Sequence, residues 1–378
     1  MRVVVAGYAD LSVKSSSVRR RMIDQLTAVV DGRLLAAEIP AELSAGFDRL
    51  IIRTPDPAAV SCVATTTPGI AHVLEAEAVS AELDAISRAA SDLAEVHPAT
   101  DSFAVVVHRG QVADGVPGSR PVKEAVGAAV ERITTAPVDL DAPDRRYHID
   151  IRGERAYVGT DRQQGTGGLP PGVQDPVVAL VSGGIDSPVA MWQMLRRGAP
   201  VLPVHCRLGS GDEPEATMRA AACVERLNER VGPEARPMLT VDLTPVVELL
   251  RAETSDLRML HLHRCLLRVA ARLAAETAAA GIVTGEVIGQ KASQTSRNLG
   301  VIDAAVDTAV FRPLAGMDKA QIVEQARALG TYAPAIGPTA CEQIAPRRPQ
   351  TAAETEAVVA DEPAGLTAAL RQCLDGVT

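Results

Sequence analysis

The pattern of apolar and polar positions changes character near residue 170. Before it, short runs alternate with amphipathic stretches. The run Arg2–Ala6 predicts a strand, the spacing over 17–30 predicts a helix, and Arg33–Ile39 and Arg49–Arg53 read as strands. Thr54-Pro55-Asp56-Pro57 reads as a break. A second α+β block follows over 58–162. Val60–Ile70 is weakly helical and Ala71–Ala78 extended. Ala81–Val96 and Pro121–Ile133 are helices, Ser102–Val107 is a strand, and a hairpin turns at Gly153-Glu154. Residues 163–174 hold the glycine- and proline-rich stretch Gly165–Gly172, which reads as a linker.

From residue 175 onward strands alternate with helices. Asp175–Val181 is a continuous apolar run, as a strand buried on both faces requires. Strands near 199–206, 237–242 and 281–285 follow, with helices over 188–197, 213–231 and 244–280 and another opening at Asp318-x-x-Gln321. This order predicts a doubly wound parallel sheet. The expected fold class is α/β: two small α+β domains (1–57 and 58–162), then the parallel-sheet domain (175–378).

Composition narrows the function. Hydrophobic residues are 47% of the 378 and charged residues 22%, enough apolar material for a core. Aromatics are 2%, which argues against a single-strand binder built on stacked rings. No apolar run reaches the roughly 18 residues that span a bilayer, and the N-terminus lacks a signal-peptide core, so a cytoplasmic protein with no membrane partner is expected. The six cysteines contain no CxxC pair, which argues against a zinc knuckle or disulfide framework. Net charge is −9, and the block 58–162 with its linker carries ten basic against sixteen acidic residues. That argues against a generic polyanion binder but leaves room for a local cationic patch. Lys14 with Arg19, Arg20 and Arg21 forms one such cluster free of acids; a solvated helix face is the plainer reading.

The informative stretch is Val178-Ala-Leu-Val-Ser182-Gly183-Gly184-Ile185-Asp186-Ser187-Pro188. It follows a buried strand and opens a helix. Two glycines let the backbone turn tightly, and successive N–H groups at a helix start face an anion. Ser182 and Ser187 add hydroxyl donors. Asp186 is out of place beside a phosphate unless Mg²⁺ comes with it. The loop is neither the lysine-containing nucleotide loop nor G-x-G-x-x-G. The S-G-G-x-D-S spacing resembles the PP-loop of ATP pyrophosphatases, which adenylate a carbonyl oxygen and release pyrophosphate.

Further segments resemble the tRNA 4-thiouridine synthetase family. They are Thr284-Gly-Glu-Val-Ile-Gly-Gln-Lys-Ala-Ser-Gln-Thr295, Arg297-Asn298-Leu299, Phe311–Lys319, Gly330-Thr331, Gly167–Gly172 and Tyr8–Lys14. Residues 58–162 resemble a THUMP domain, an RNA-binding module, and 1–57 its ferredoxin-like companion. The resemblance implies ATP-dependent activation of C4 of uridine 8 in tRNA, with persulfide sulfur then displacing AMP to leave 4-thiouridine. It implies that Asp186 holds Mg²⁺ or supports adenylation, that Lys319 neutralises phosphate charge, and that Cys341 accepts or resolves a persulfide. It places Leu180, Val181, Ser182, Gly183, Gly184, Ser187, His263, Arg264, Gly285 and Gln294 around ATP. His263 departs from the family's usual Lys or Arg. His205 and Cys206, at a strand end where open sheets bind ligands, are candidates for the adenine pocket or a thiol role. Lys14, Arg19, Arg20, Arg21, Arg347 and Arg348 are candidates for tRNA contact.

No rhodanese domain precedes Thr378, so sulfur is expected from a cysteine desulfurase or another persulfide or sulfide donor, or through Cys373. The lack of CxxC argues against an iron–sulfur cluster on Cys206, Cys265 and Cys341. The family likeness also implies a homodimer, and a second role in supplying sulfur to the thiamine thiazole. Two other readings stay open from sequence. One is a PP-loop ligase acting on a small molecule; the other is an RNA-binding protein with an inactive catalytic domain.

Overall fold

A computed structural model describes residues 1–11, 14–96, 101–209, 213–252, 256–337 and 344–376. The chain divides into two units, Met1–Pro170 and Pro171–Thr378.

In the first unit the strands are β1 (Arg2–Tyr8), β2 (Glu42–Ala45), β3 (Arg49–Arg53), β4 (Ile70–Ser80), β5 (Phe103–Val112), β6 (Arg145–Gly153), β7 (Arg155–Thr160) and β8 (Gln163–Gln164). They form one sheet in the order β2-β3-β1-β4-β7-β6-β5, with β8 on β4. The helices are α1 (Ser16–Ala36), α2 (Pro57–Thr65), α3 (Leu83–Val96) and α4 (Ser119–Thr134). The stretches read as two blocks thus share a sheet: β4 pairs with β1 on one side and β7 on the other.

One sequence expectation fails here. Arg33–Ile39 is not a strand; α1 continues to Ala36. Leu34 extends the buried stripe of Leu26 and Val30, and the Arg33 guanidinium donates to Val63 O at 2.7 Å. The run Leu34-Leu-Ala-Ala has no polar alternation, so period alone could not separate the two structures.

Alternate β1 residues face opposite ways, as the pleat demands. Val4 and Ala6 pack with α1 and α2, while Val3 and Val5 join Leu74, Ala76 and Tyr157 on the other face. That second face is partly polar. Arg49 Nε of β3 donates to Asp150 Oδ2 of β6 at 3.0 Å, and Arg152 pairs with both Asp150 and Asp48 at 2.9 Å. Three strands lie between β3 and β6, so this contact requires the sheet to curl strongly. His72, His108, His148 and Arg162 gather inside the curl. Gly7 of β1 leaves the space that the His72 ring fills.

In the second unit β9 (Val177–Leu180), β10 (Val201–Arg207), β11 (Leu239–Asp242), β12 (Ile282–Val283) and β13 (Val310–Phe311) form a parallel sheet in the order β11-β10-β9-β12-β13. The helices are α5 (Asp186–Leu195), α6 (Glu213–Asn228), α7 (Thr244–Ala252), α8 (Arg258–Glu276), α9 (Ser296–Asp303), α10 (Lys319–Leu329), α11 (Thr355–Ala360) and α12 (Leu366–Asp375). Val177, Ala179 and Val181 pack with α5, α6 and α10; Val178 packs with α7, α8, α9 and α12. Both faces of β9 are therefore buried, which is why its sequence is apolar throughout. The strand order reverses at β9, and such a switch point opens a crevice beyond the carboxyl ends of the strands.

Candidate functional site

The loop 181–187 leaves β9 at that switch point. Gly183 adopts φ +70°, and a Cβ there would lie 2.5 Å from Ala216 O, so only glycine fits the turn. Ser182 N donates to Ser187 Oγ at 3.0 Å, and the two hydroxyl oxygens are 3.3 Å apart. Gly285, just past β12, presses on the start of α5: an added Cβ would sit 2.8 Å from Ser187 N and Cα. His205 is buried on β10 and bonds Val181 O through Nδ1 at 2.7 Å. A carbonyl only accepts, so Nδ1 carries the proton. This bond braces the loop from behind.

Asp186 opens α5 and is bonded from two sides. Lys319 Nζ reaches Oδ1, and Gln290 Nε2 donates to Oδ2 at 3.2 Å. Lys319 is the first residue of α10, where the helix dipole disfavours a cation. The Asp186 carboxylate offsets that cost and holds the ammonium at the loop. The preceding turn is fixed by Asp318 N donating to Gln321 Oε1 at 3.0 Å.

These groups line one cleft of about 700 Å³. Leu180, Ser182, Gly184, Asp186, Ser187, His205, Cys206, His263, Gly285, Gln294 and Lys319 all face it, so most sequence candidates converge. Gln294 Oε1 is buried with no hydrogen-bond partner among the described residues, an acceptor that a ligand's amine would satisfy.

Some candidates stand elsewhere. Val181 and Gly183 are not in the cleft lining; they shape the loop. Arg264 is 3% exposed and donates from Nη1 to Val301 O at 2.6 Å, so it ties α8 to α9. Arg347 and Arg348 are exposed on the surface of the same unit. Lys14, Arg20 and Arg21 are exposed in the first unit, and the Arg19 guanidinium lies 4.3 Å from the Phe47 ring centroid. Cys341 lies outside the described residues. Cys265 is buried among apolar side chains, and desolvation pushes its thiol up to about 12. Cys373 sits on α12 in the same cluster, its thiol also raised by burial.

The sequence reading missed Glu286. Its carboxylate is buried at the cleft and accepts from His263 Nδ1 at 3.0 Å, Thr284 Oγ1 at 3.0 Å and Arg312 Nε at 2.6 Å. Arg312 in turn grips Asp303 through two bonds of 2.9 and 2.6 Å. Burial alone would raise the carboxyl, but the bond from His263 and the nearby charges bring it down to about 2. Its signals in the sequence were its place in the family-like segment Thr284–Thr295 and an acid directly after a glycine at a strand end.

A divalent cation has little to bind on its own. Among the described residues no group of three or more His, Cys, Asp or Glu side chains suits a metal. The lone carboxylate of Asp186 fits an ion that arrives with a triphosphate.

Comparison with known proteins agrees with this geometry. Residues 172–364 match the family model described as thiamine biosynthesis protein (ThiI), and residues 80–161 match the THUMP domain. A Halobacterium salinarum protein named probable tRNA sulfurtransferase is 39% identical over 96% of this chain and 93% of its own. A tRNA sulfurtransferase of Pyrobaculum aerophilum is 35% identical over 88% of this chain and 67% of its own. A crystal structure of a 4-thiouridine synthetase–RNA complex with bound ATP superposes with a TM-score of 0.85 at 26% identity, covering 100% of this chain and 98% of that one.

Proposed function

The chain belongs to the ThiI family, and from that premise we propose that it is an ATP-dependent tRNA sulfurtransferase that converts uridine 8 to 4-thiouridine. The observation that carries this is the loop 182–187 with the Asp186–Lys319 pair at its mouth, in a chain that also holds an RNA-binding module.

The chemistry follows from the groups present. The C4 oxygen of uridine is a poor leaving group, and transfer of AMP onto it makes it a good one. Amides from Gly183 to the start of α5 would face the phosphates, and Lys319 neutralises the charge that develops as pyrophosphate departs. Leu180, Gly285 and Gln294 hold the nucleoside end, and His263, oriented by Glu286, adds a donor or acceptor at Nε2. Magnesium arriving with ATP would neutralise phosphate charge, and Asp186 is the residue that would hold it. Persulfide sulfur carried on Cys341 then attacks C4, and AMP leaves with the old oxygen. A second thiol, from the donor or a thiol reductant, attacks Cys341 Sγ and breaks the S–S bond, so that 4-thiouridine leaves and Cys341 is left in a disulfide. The persulfide comes from a separate donor such as a cysteine desulfurase. The same sulfur path extends to the thiamine thiazole.

RNA engagement falls to residues 1–162, through Lys14 and Arg19–Arg21, with Arg347 and Arg348 near the cleft. Helix α1 has no acid in its first turn, and among the described residues Lys14, Arg20 and Arg21 form no ion pair. Cations at a helix start oppose the dipole, so their placement is better explained by a polyanion than by stability. We take the protein to act in the cytoplasm as a homodimer.

The test is thiolation in vitro with ATP, unmodified tRNA and a cysteine desulfurase with cysteine, comparing the wild type with Cys341→Ser. Wild type is expected to incorporate sulfur and the variant to fail. Equal incorporation by both would remove Cys341 from the sulfur path, and no incorporation by the wild type would overturn the function.

A further inference from the structure

One wall of the cleft is unaccounted for by the loop and its lysine. Ala345, Pro349 and Gln350 line it, and they belong to a stretch, 344–354, that is neither helix nor strand. Backbone without a ladder needs other partners to stay in place. Those partners come from the first turn of α9. Thr295, which caps α9, donates from Oγ1 to Thr351 O at 2.7 Å. Arg297 pairs with Glu354. Asn298, whose side chain is fully buried, does most. Its Nδ2 donates to Gln350 O at 2.9 Å and to Ala292 O at 2.8 Å, and its Oδ1 accepts from Ala353 N at 3.0 Å.

Both amide donors and one acceptor lone pair are thus spent on backbone. Ala292 and Gln294 belong to one short turn, and both line the cleft. A single side chain therefore joins the floor of the cleft to its wall. A buried amide is costly unless satisfied, and an apolar residue would fill the same space without that cost. An amide here is explained by what it holds.

We propose that Asn298 is a positioning residue that sets 344–354 as a wall of the cleft. Its consequence for catalysis rests on the sulfurtransferase reading; its structural content does not. The experiment compares full-length wild type with Asn298→Ala and with the isosteric Asn298→Asp, which keeps the bond from Ala353 but turns an oxygen toward two carbonyls. Limited trypsin digestion reads the wall through cleavage after Arg347, at a temperature where circular dichroism shows every protein folded. Both variants should be cut there at least about ten-fold faster than wild type, as expected when local opening becomes easier by about 1.4 kcal/mol. Cleavage after Arg20 and Arg21 should be unchanged, a contrast that general destabilisation would not give. The kcat for tRNA thiolation should fall by about ten-fold or more, with the KM for tRNA unchanged. Unchanged cleavage after Arg347, or faster cleavage with kcat untouched, would overturn the proposal. If the wild type itself thiolates no tRNA, the function fails while the digestion still decides the role of Asn298.

Discussion

Two adjacent residues of α8 face opposite fates. His263 lines the cleft, bonded to Glu286, while Arg264 is buried and spends its Nη1 on Val301 O. His263→Ala should therefore raise the Kd for ATP, with a stability loss of its own because the buried Glu286 carboxylate loses one of its three donors. Arg264→Met should lower stability by about 1–3 kcal/mol, the cost of leaving a buried acceptor unpaired, with ATP affinity unchanged. Isothermal titration and denaturant unfolding separate the two; a large loss of ATP affinity in Arg264→Met would contradict this placement. Glu286 adds a pH signature. Its carboxyl is held at about 2, below its usual value, so it contributes stability above the unfolded carboxyl pKa that is lost as pH falls through the folded one. Glu286→Gln should be less stable at neutral pH, and its difference from wild type should shrink between about pH 4.3 and 2. A difference that stays constant with pH would show that the charge is not what matters.

At the scale of elements, the strand–loop–helix over 177–195 was legible because its signals are local. An apolar run, two glycines and a helix start lie within a few residues, and the structure brings the predicted loop to the strand-order reversal. The Glu286 network and the Asn298 joint were not legible, since each unites residues that lie from a few to more than fifty positions apart. The curl of the first sheet was hidden for the same reason: it shows in Arg49 meeting Asp150. That curl encloses histidines. Burial and then Arg162 bring His72 down to about 3, and burial first also brings His148 down to about 4. Both are neutral in the fold, while the unfolded chain takes up protons below about pH 6.5. Protons then favour unfolding, so the stability of residues 1–170 should decline as pH drops from about 6.5 toward 4. Hydrogen exchange of β1 and β4 amides measures it, and His72→Gln should flatten the decline. A flat profile in the wild type would contradict the buried, neutral histidines.

For the whole molecule, the puzzle in the composition is an acidic chain with a polyanionic substrate. Net charge is −9, yet Lys14 and Arg19–Arg21 stand together at one helix start. Reversing Arg19, Arg20 and Arg21 to Glu should weaken tRNA binding and flatten its salt dependence by about three phosphate contacts. ATP binding in the second unit should be unchanged. Filter binding across a salt series reads this, and an unaltered slope would remove the patch from the RNA contact.

The central claim is that the turn after β9 activates a base oxygen with ATP. It is tested most directly by following pyrophosphate release and sulfur incorporation together, with unmodified tRNA, ATP and sulfide, in wild type and Gly183→Ala. The added methyl group meets Ala216 O at 2.5 Å in a backbone conformation suited to glycine. The wild type should release one pyrophosphate for each 4-thiouridine formed, and the variant should lose both while its first unit still binds tRNA. Sulfur incorporation without pyrophosphate release, or a fully active Gly183→Ala, would contradict the account.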